Sequence, residues 1–237
     1  MVCNTGVRLT PIVEGRPLRF ETRGLYDGVS ILWDQETGTI WHHMTGEGLH
    51  GPLAGKRLAP IGAVLHSTVA AALEIDPGTL VAISDRPIQR ENRWAPLLER
   101  VPVLSDLFRR TMSPEDSRRP TMDVGIGVWR DEATARYYPL ETVLAAGKVV
   151  LDTLGGRPVL VYFDPVARAL MALETNARSA RWEGDALRLS TGRTVRRGVV
   201  YEGGRALETA RPLQVFTRWY GWALTFPATS IYQRAPS

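Results

Sequence analysis

The chain has 237 residues, 44% hydrophobic and 23% charged, with a formal net charge of +4. That balance excludes a disordered chain, and no apolar run approaches the roughly 18 residues that a membrane-spanning helix needs. A single cysteine, Cys3, excludes an intrachain disulfide. The length suits one large domain or two small ones.

In chain order, "LRF" (18–20) is a short apolar stretch ahead of the turn-rich "GLYDG". "VSILW" (29–33) and "TIWHHM" (39–44) then flank the polar "DQETG". They predict a β-hairpin with a loop of about five residues. Alternation places Trp41 and His43 on one face and His42 and Met44 on the other. "STVAAALEI" (67–75) predicts a helix with Ser67 as N-cap, stopped by Asp76-Pro77-Gly78. "TLVAIS" (79–84) predicts a strand. Residues 85–122 are rich in proline and arginine and read as an ordered connecting excursion with one short helix.

The second half is again strand-rich. "VGIGVW" (124–129) and "ATARYYPL" (133–140) are strands, and "ETVLAAG" (141–147) is a helix ended by Gly147. "VVLDTLGGRPVLVYF" predicts a hairpin about Gly155-Gly156, and "RALMALE" and "DALRLS" continue a meander. In the closing segment, "FTRWYGWALTF" reads as a core strand. Its Arg218 and Trp219 could instead join Trp41 in walling a binding pocket.

Two segments run in parallel. Residues 27–53 and 184–208 share an apolar strand, a Thr-Gly turn (Thr37-Gly38 and Thr191-Gly192), a second strand and a Gly-rich turn. Where the first has Trp41-His42-His43, the second has Val195-Arg196-Arg197. The expected fold is a β-rich α+β domain of two related antiparallel meander units with short helices. The units span 1–84 and 123–237, joined by the 85–122 excursion into one compact domain.

The stretch "WHHMTGEGLHGPLAG" (41–55) holds three of the four histidines. A tight glycine turn would bring His50 back towards His43, with Glu47 between them and Cys3 as a fourth ligand, a donor set suited to a transition metal. The same residues also fit a second description, in which the histidines are polar groups at a strand end and Glu47 binds turn amides. Gly46-x-Gly48-x-x-Gly51 has the spelling of a dinucleotide loop, but no convincing helix follows it. No G-x-S-x-G elbow, H-E-x-x-H helix or P-loop occurs. Arginine supplies the basic residues except Lys56 and Lys148. The basic residues are scattered among 25 acids, so a nucleic-acid partner is not expected.

The runs "VCNTGVRLTPIVEGRPLRF" (2–20), "GLYDGVSILWDQETGTIWHHMTGEGLHGPLAGKRL" (24–58), "ARYYPL" (135–140), "DTLGGRPV" (152–159) and "FTRWYGWALTFPATSIY" (216–232) resemble an uncharacterised bacterial group, domain-of-unknown-function family 3179. The resemblance implies no established activity. Its members commonly carry sequence before the cysteine motif, with elements that appear here only in the second half. The first unit therefore looks truncated at its front, with an unpaired strand edge expected among residues 2–20. No export signal is expected in the chain as written. The resulting expectation is a module that binds a small molecule or a metal, or an accessory subunit with a protein partner. The alternative is a metal-dependent enzyme using His43, Glu47 and His50.

Overall fold

The computed structural model describes residues 6–83 and 104–234. The N-terminal unit contains β1 (Arg8–Leu9), β2 (Ile12–Val13), β3 (Arg16–Pro17), β4 (Phe20–Tyr26), β5 (Val29–Asp34), β6 (Ile40–His42), β7 (Gly48–His50), β8 (Pro60–Gly62) and helix α1 (Val69–Ile75). Strands β4 to β7 form an antiparallel meander in sequence order. The strands before residue 20 pair only in two-stranded sheets, β1 with β8 and β2 with β3, and the meander is bounded by β7 on one edge and by β4 on the other. The exposed Glu21 and Arg23 of β4 make that edge a poor template for another strand.

Helix α2 (Asp106–Arg109) precedes β9 (Val124–Trp129), β10 (Ala135–Pro139), α3 (Leu140–Ala145), β11 (Val149–Leu154), β12 (Arg157–Asp164) and β13 (Ala169–Glu174). A second meander follows in β14 (Ala180–Glu183), β15 (Ala186–Leu189), β16 (Thr194–Arg196), β17 (Val199–Glu202) and β18 (Arg205–Leu207). The chain closes with β19 (Leu213–Arg218), α4 (Trp219–Thr225) and β20 (Ser230–Ile231). The architecture is β-rich, with antiparallel sheets and a few short helices. One pair departs from the antiparallel expectation: β20 joins β10 in parallel, Tyr137 opposite Ile231.

The sheet of order β19-β9-β10-β20 is the centre of the molecule. Alternation along β9 sends Ile126 and Val128 to one face, where they meet Val143 of α3 and Val159, Val161 and Leu170 of β12 and β13. Its other face carries Gly125, Gly127 and Trp129. There Trp219, Trp222 and Phe226 pack with Tyr137, and Val29 and Met44 arrive from the N-terminal unit. The two units therefore share one aromatic core. A smaller cluster of Val13, Leu18, Trp41 and Leu58 holds the N-terminal unit together.

Several expectations need correction. "FTRWYGWALTF" is not one strand: β19 ends at Arg218 and α4 begins at Trp219. A helix apolar on all sides belongs in the interior, and Trp219, Tyr220, Trp222 and Ala223 are all buried. The N-cap of α1 is Thr68, not Ser67; its Oγ1 accepts from the Ala71 amide at 3.1 Å. Residues 79–83 form no strand, and Leu80 and Ile83 are exposed. Half of the 85–122 excursion, residues 85–103, lies outside the described residues, and the other half carries the short helix α2. Among the described residues, no helix is long and apolar enough to cross a membrane.

Candidate functional site

The local chemistry of "WDQETGTIW" (33–41) centres on Asp34, which is fully buried. Its carboxylate accepts from the Thr37 amide at 2.6 Å, the Thr39 amide at 3.1 Å and the Trp41 indole Nε1 at 2.8 Å. Thr37 Oγ1 adds a further bond at 2.8 Å. Burial alone raises the carboxyl's pKa, but these donors outweigh it and hold it below the usual range. Trp41 is buried against Phe20, edge to face at 6.1 Å.

The glycines that follow are demanded by close backbone packing. A Cβ on Gly48 would lie 2.4 Å from the Leu53 carbonyl oxygen, and one on Gly46 2.7 Å from that of Leu58. This double turn positions no phosphate-binding helix.

The histidines take different roles. His42 is 6% exposed, and its Nδ1 accepts from the amides of Met44 (3.2 Å) and Thr45 (3.3 Å). Two amide donors on one nitrogen require that nitrogen to be unprotonated. Burial, and then His43 beside it, lower the His42 pKa to about 4 against a weaker opposing effect of Asp27. The neutral ring is thus a cap for the turn. His43 Nδ1 donates to the Ser30 carbonyl at 2.7 Å, and its ring lines a small cavity of about 330 Å³ with Phe20, Leu32 and Leu58. Burial lowers its pKa, partly offset by the bond to Ser30.

His50 is exposed and lies opposite Ile40, at the far end of β6 from His43. Glu47 pairs with Arg57 at 3.6 Å. The glycine turn therefore does not draw His43, Glu47 and His50 together. Among the described residues, no group of three or more His, Cys, Asp or Glu side chains is disposed to hold a metal ion. Cys3 lies outside them.

A folded pKa depressed below the ordinary imidazole value of 6.5 gives a definite sign. Its stabilising contribution is complete above 6.5 and is lost as pH falls towards the folded value near 4, up to about 3 kcal/mol. His42→Asn places an acceptor oxygen where Nδ1 sits and cannot titrate. Its melting temperature should fall less than that of the parent between pH 7 and pH 4, in thermal unfolding at both pH values. An equal fall would remove His42 from this role.

An apolar recess lies elsewhere, between the two units. A cavity of about 460 Å³ is floored by Met44, Trp129, Leu213 and Phe226, and walled by Val7, Leu9 and Pro60. Its rim carries Arg57, Asp131, Glu132 and Ala133. Arg57 of the N-terminal unit bonds Glu132 of the C-terminal unit at 2.6 Å, closing an ion bridge across the mouth. Beside it, a second cavity of about 620 Å³ shares the wall of Trp129, Arg130, Asp131 and Leu213. Neither is lined by the expected trio of Trp41, Arg218 and Trp219. Arg218 donates to the Met122 carbonyl at 2.9 Å, and the buried Trp219 indole to that of Asp116 at 3.0 Å. The sequence offered one signal for this recess: Trp129 stands at the end of a strand, followed directly by the charged turn Arg130-Asp131-Glu132.

A family model described as "Protein of unknown function (DUF3179)" matches residues 1–229. Neither the curated proteins nor the solved structures contain a match.

Proposed function

The chain belongs to this DUF3179 family of unknown function, and we propose, from its own geometry, that it is a binding module for an apolar small molecule held between its two β units. The observation that carries this reading is the 460 Å³ recess itself, whose floor is Met44, Trp129, Leu213 and Phe226. Ligand sites are typically concave, mostly apolar and edged by a few polar groups. The Arg57–Glu132 bridge supplies a polar edge that can open without disturbing the core, because both side chains are at least half exposed.

The test uses a neutral fluorescent probe, N-phenyl-1-naphthylamine. The parent should enhance its emission saturably. Ala133→Trp, on the exposed rim, should plug the recess and weaken binding by about tenfold or more with little change in melting temperature. Equal binding by the variant would place the probe elsewhere and defeat the reading.

We also read the two meanders as copies of one unit. Both run in sequence order, and the turn glycines Gly38 (φ 73°) and Gly192 (φ 84°) share a left-handed conformation. An alignment of family members in which 27–53 and 184–208 show no common pattern would end that reading.

A further inference from the structure

We propose that the second cavity, about 620 Å³ beside β9, binds an oxyanion group, a phosphate or a carboxylate. Three guanidiniums line it, those of Arg130, Arg157 and Arg211, against two carboxylates, Asp131 and Glu174. Both carboxylates are committed. Asp131 accepts from the Thr134 amide of its own turn at 2.7 Å. Glu174 takes Arg130 Nη1 at 2.5 Å and lies 4.0 Å from Arg157 Nη1. Arg211 spends its donors on the uncharged carbonyls of Ala172, at 2.8 Å, and Gly198. Positive charge is therefore left in surplus at the cavity.

The donors are also held ready. Arg130 is fixed by Glu174 and by the Leu154 carbonyl, which accepts from its Nε at 3.0 Å. Its Nη2 has no hydrogen-bond partner among the described residues but is shielded from solvent, so Arg130 offers its charge rather than that donor. Arg157 is 66% exposed and can swing towards a ligand. A fixed guanidinium beside a mobile one suits an oxyanion, whose oxygens match the planar donor fork. A purely structural ion pair would set one carboxylate against each guanidinium, which this cavity does not do. The inference stands apart from the apolar recess: inorganic phosphate has no apolar part, so failure of the neutral probe leaves it intact.

The test is calorimetric titration of the whole chain with inorganic phosphate, and separately with acetate, at low and high salt. Saturable binding that weakens with salt is expected for at least one of them. Phosphate alone would mark a phosphate site, and acetate a carboxylate site. Arg157→Gln should weaken it about tenfold with an unchanged melting temperature, as loss of one charge-assisted bond implies. Glu174→Gln, which frees Arg130 and Arg157 from their competitor, should tighten it. Arg181→Gln, on the exposed strand β14, should have no effect. Absence of saturable binding of either anion up to about 50 mM, far weaker than a built site gives, would overturn the proposal. So would equal affinities in Arg157→Gln and the parent. If Glu174→Gln fails to fold, the Arg157 comparison still decides.

Discussion

Gly127→Ala is expected to lower the melting temperature by about 10 °C, the shift that a loss of about 3 kcal/mol produces in a chain of this size. A Cβ on Gly127 would lie 2.1 Å from Cε3 and 2.2 Å from Cζ3 of Trp222. The ring cannot retreat. It is fully buried, stacks obliquely on Phe226 with centroids 4.3 Å apart, and its Nε1 donates to Thr229 Oγ1 at 3.0 Å. Gly127 has no left-handed backbone requirement, so the effect is steric alone. Combining it with Trp222→Leu should therefore recover part of the loss, a coupling that a double-mutant cycle measures. Gly127→Ala melting like the parent would mean that α4 does not lie on this face of the central sheet.

Asp34→Ala should be comparably severe. It strands the buried indole N–H of Trp41 and the amide of Thr37, at about 1–3 kcal/mol for each unmet donor. The depressed pKa of Asp34 adds a pH signature of fixed sign. Its stabilisation is present above the ordinary carboxylate range and is lost as pH falls below it. The parent should thus weaken in acid in two stages, His42 first and Asp34 below it. Denaturant melts at several pH values should show the lower stage reduced in Asp34→Ala, the remainder coming from Glu14, Glu36, Asp116 and Glu183, which are also held below the usual range. An undiminished lower stage would remove Asp34 from this role.

The local elements were legible because their causes are local. Alternation and the Thr-Gly turn fixed the hairpin of β5 and β6, and Gly155-Gly156, both in left-handed backbone, fixed that of β11 and β12. What the sequence hid was the pairing of distant segments. Strand β19 lies against β9 with Phe216 opposite Ile126, a register that no neighbouring turn specifies. The aromatic run 216–226 has no polar face, so its period could not separate strand from helix. The histidine cluster was visible, but not its purpose. Histidines close in sequence on a strand and turn point to different places, and His42 is consumed by the turn it caps. The apolar recess was invisible for the opposite reason: Met44, Trp129 and Phe226 are far apart in the chain and meet only through the shared core.

The most direct test of the recess as a ligand site is the indole N–H resonance of Trp129 in a nitrogen-15-labelled protein, assigned by Trp129→Phe. As neutral naphthylamine probe is added, the Trp129 resonance should shift progressively and saturate. The Trp41 resonance, whose indole is bound to Asp34 in the separate N-terminal core, should stay in place. An unmoved Trp129 resonance at a probe concentration that saturates the fluorescence would contradict the account.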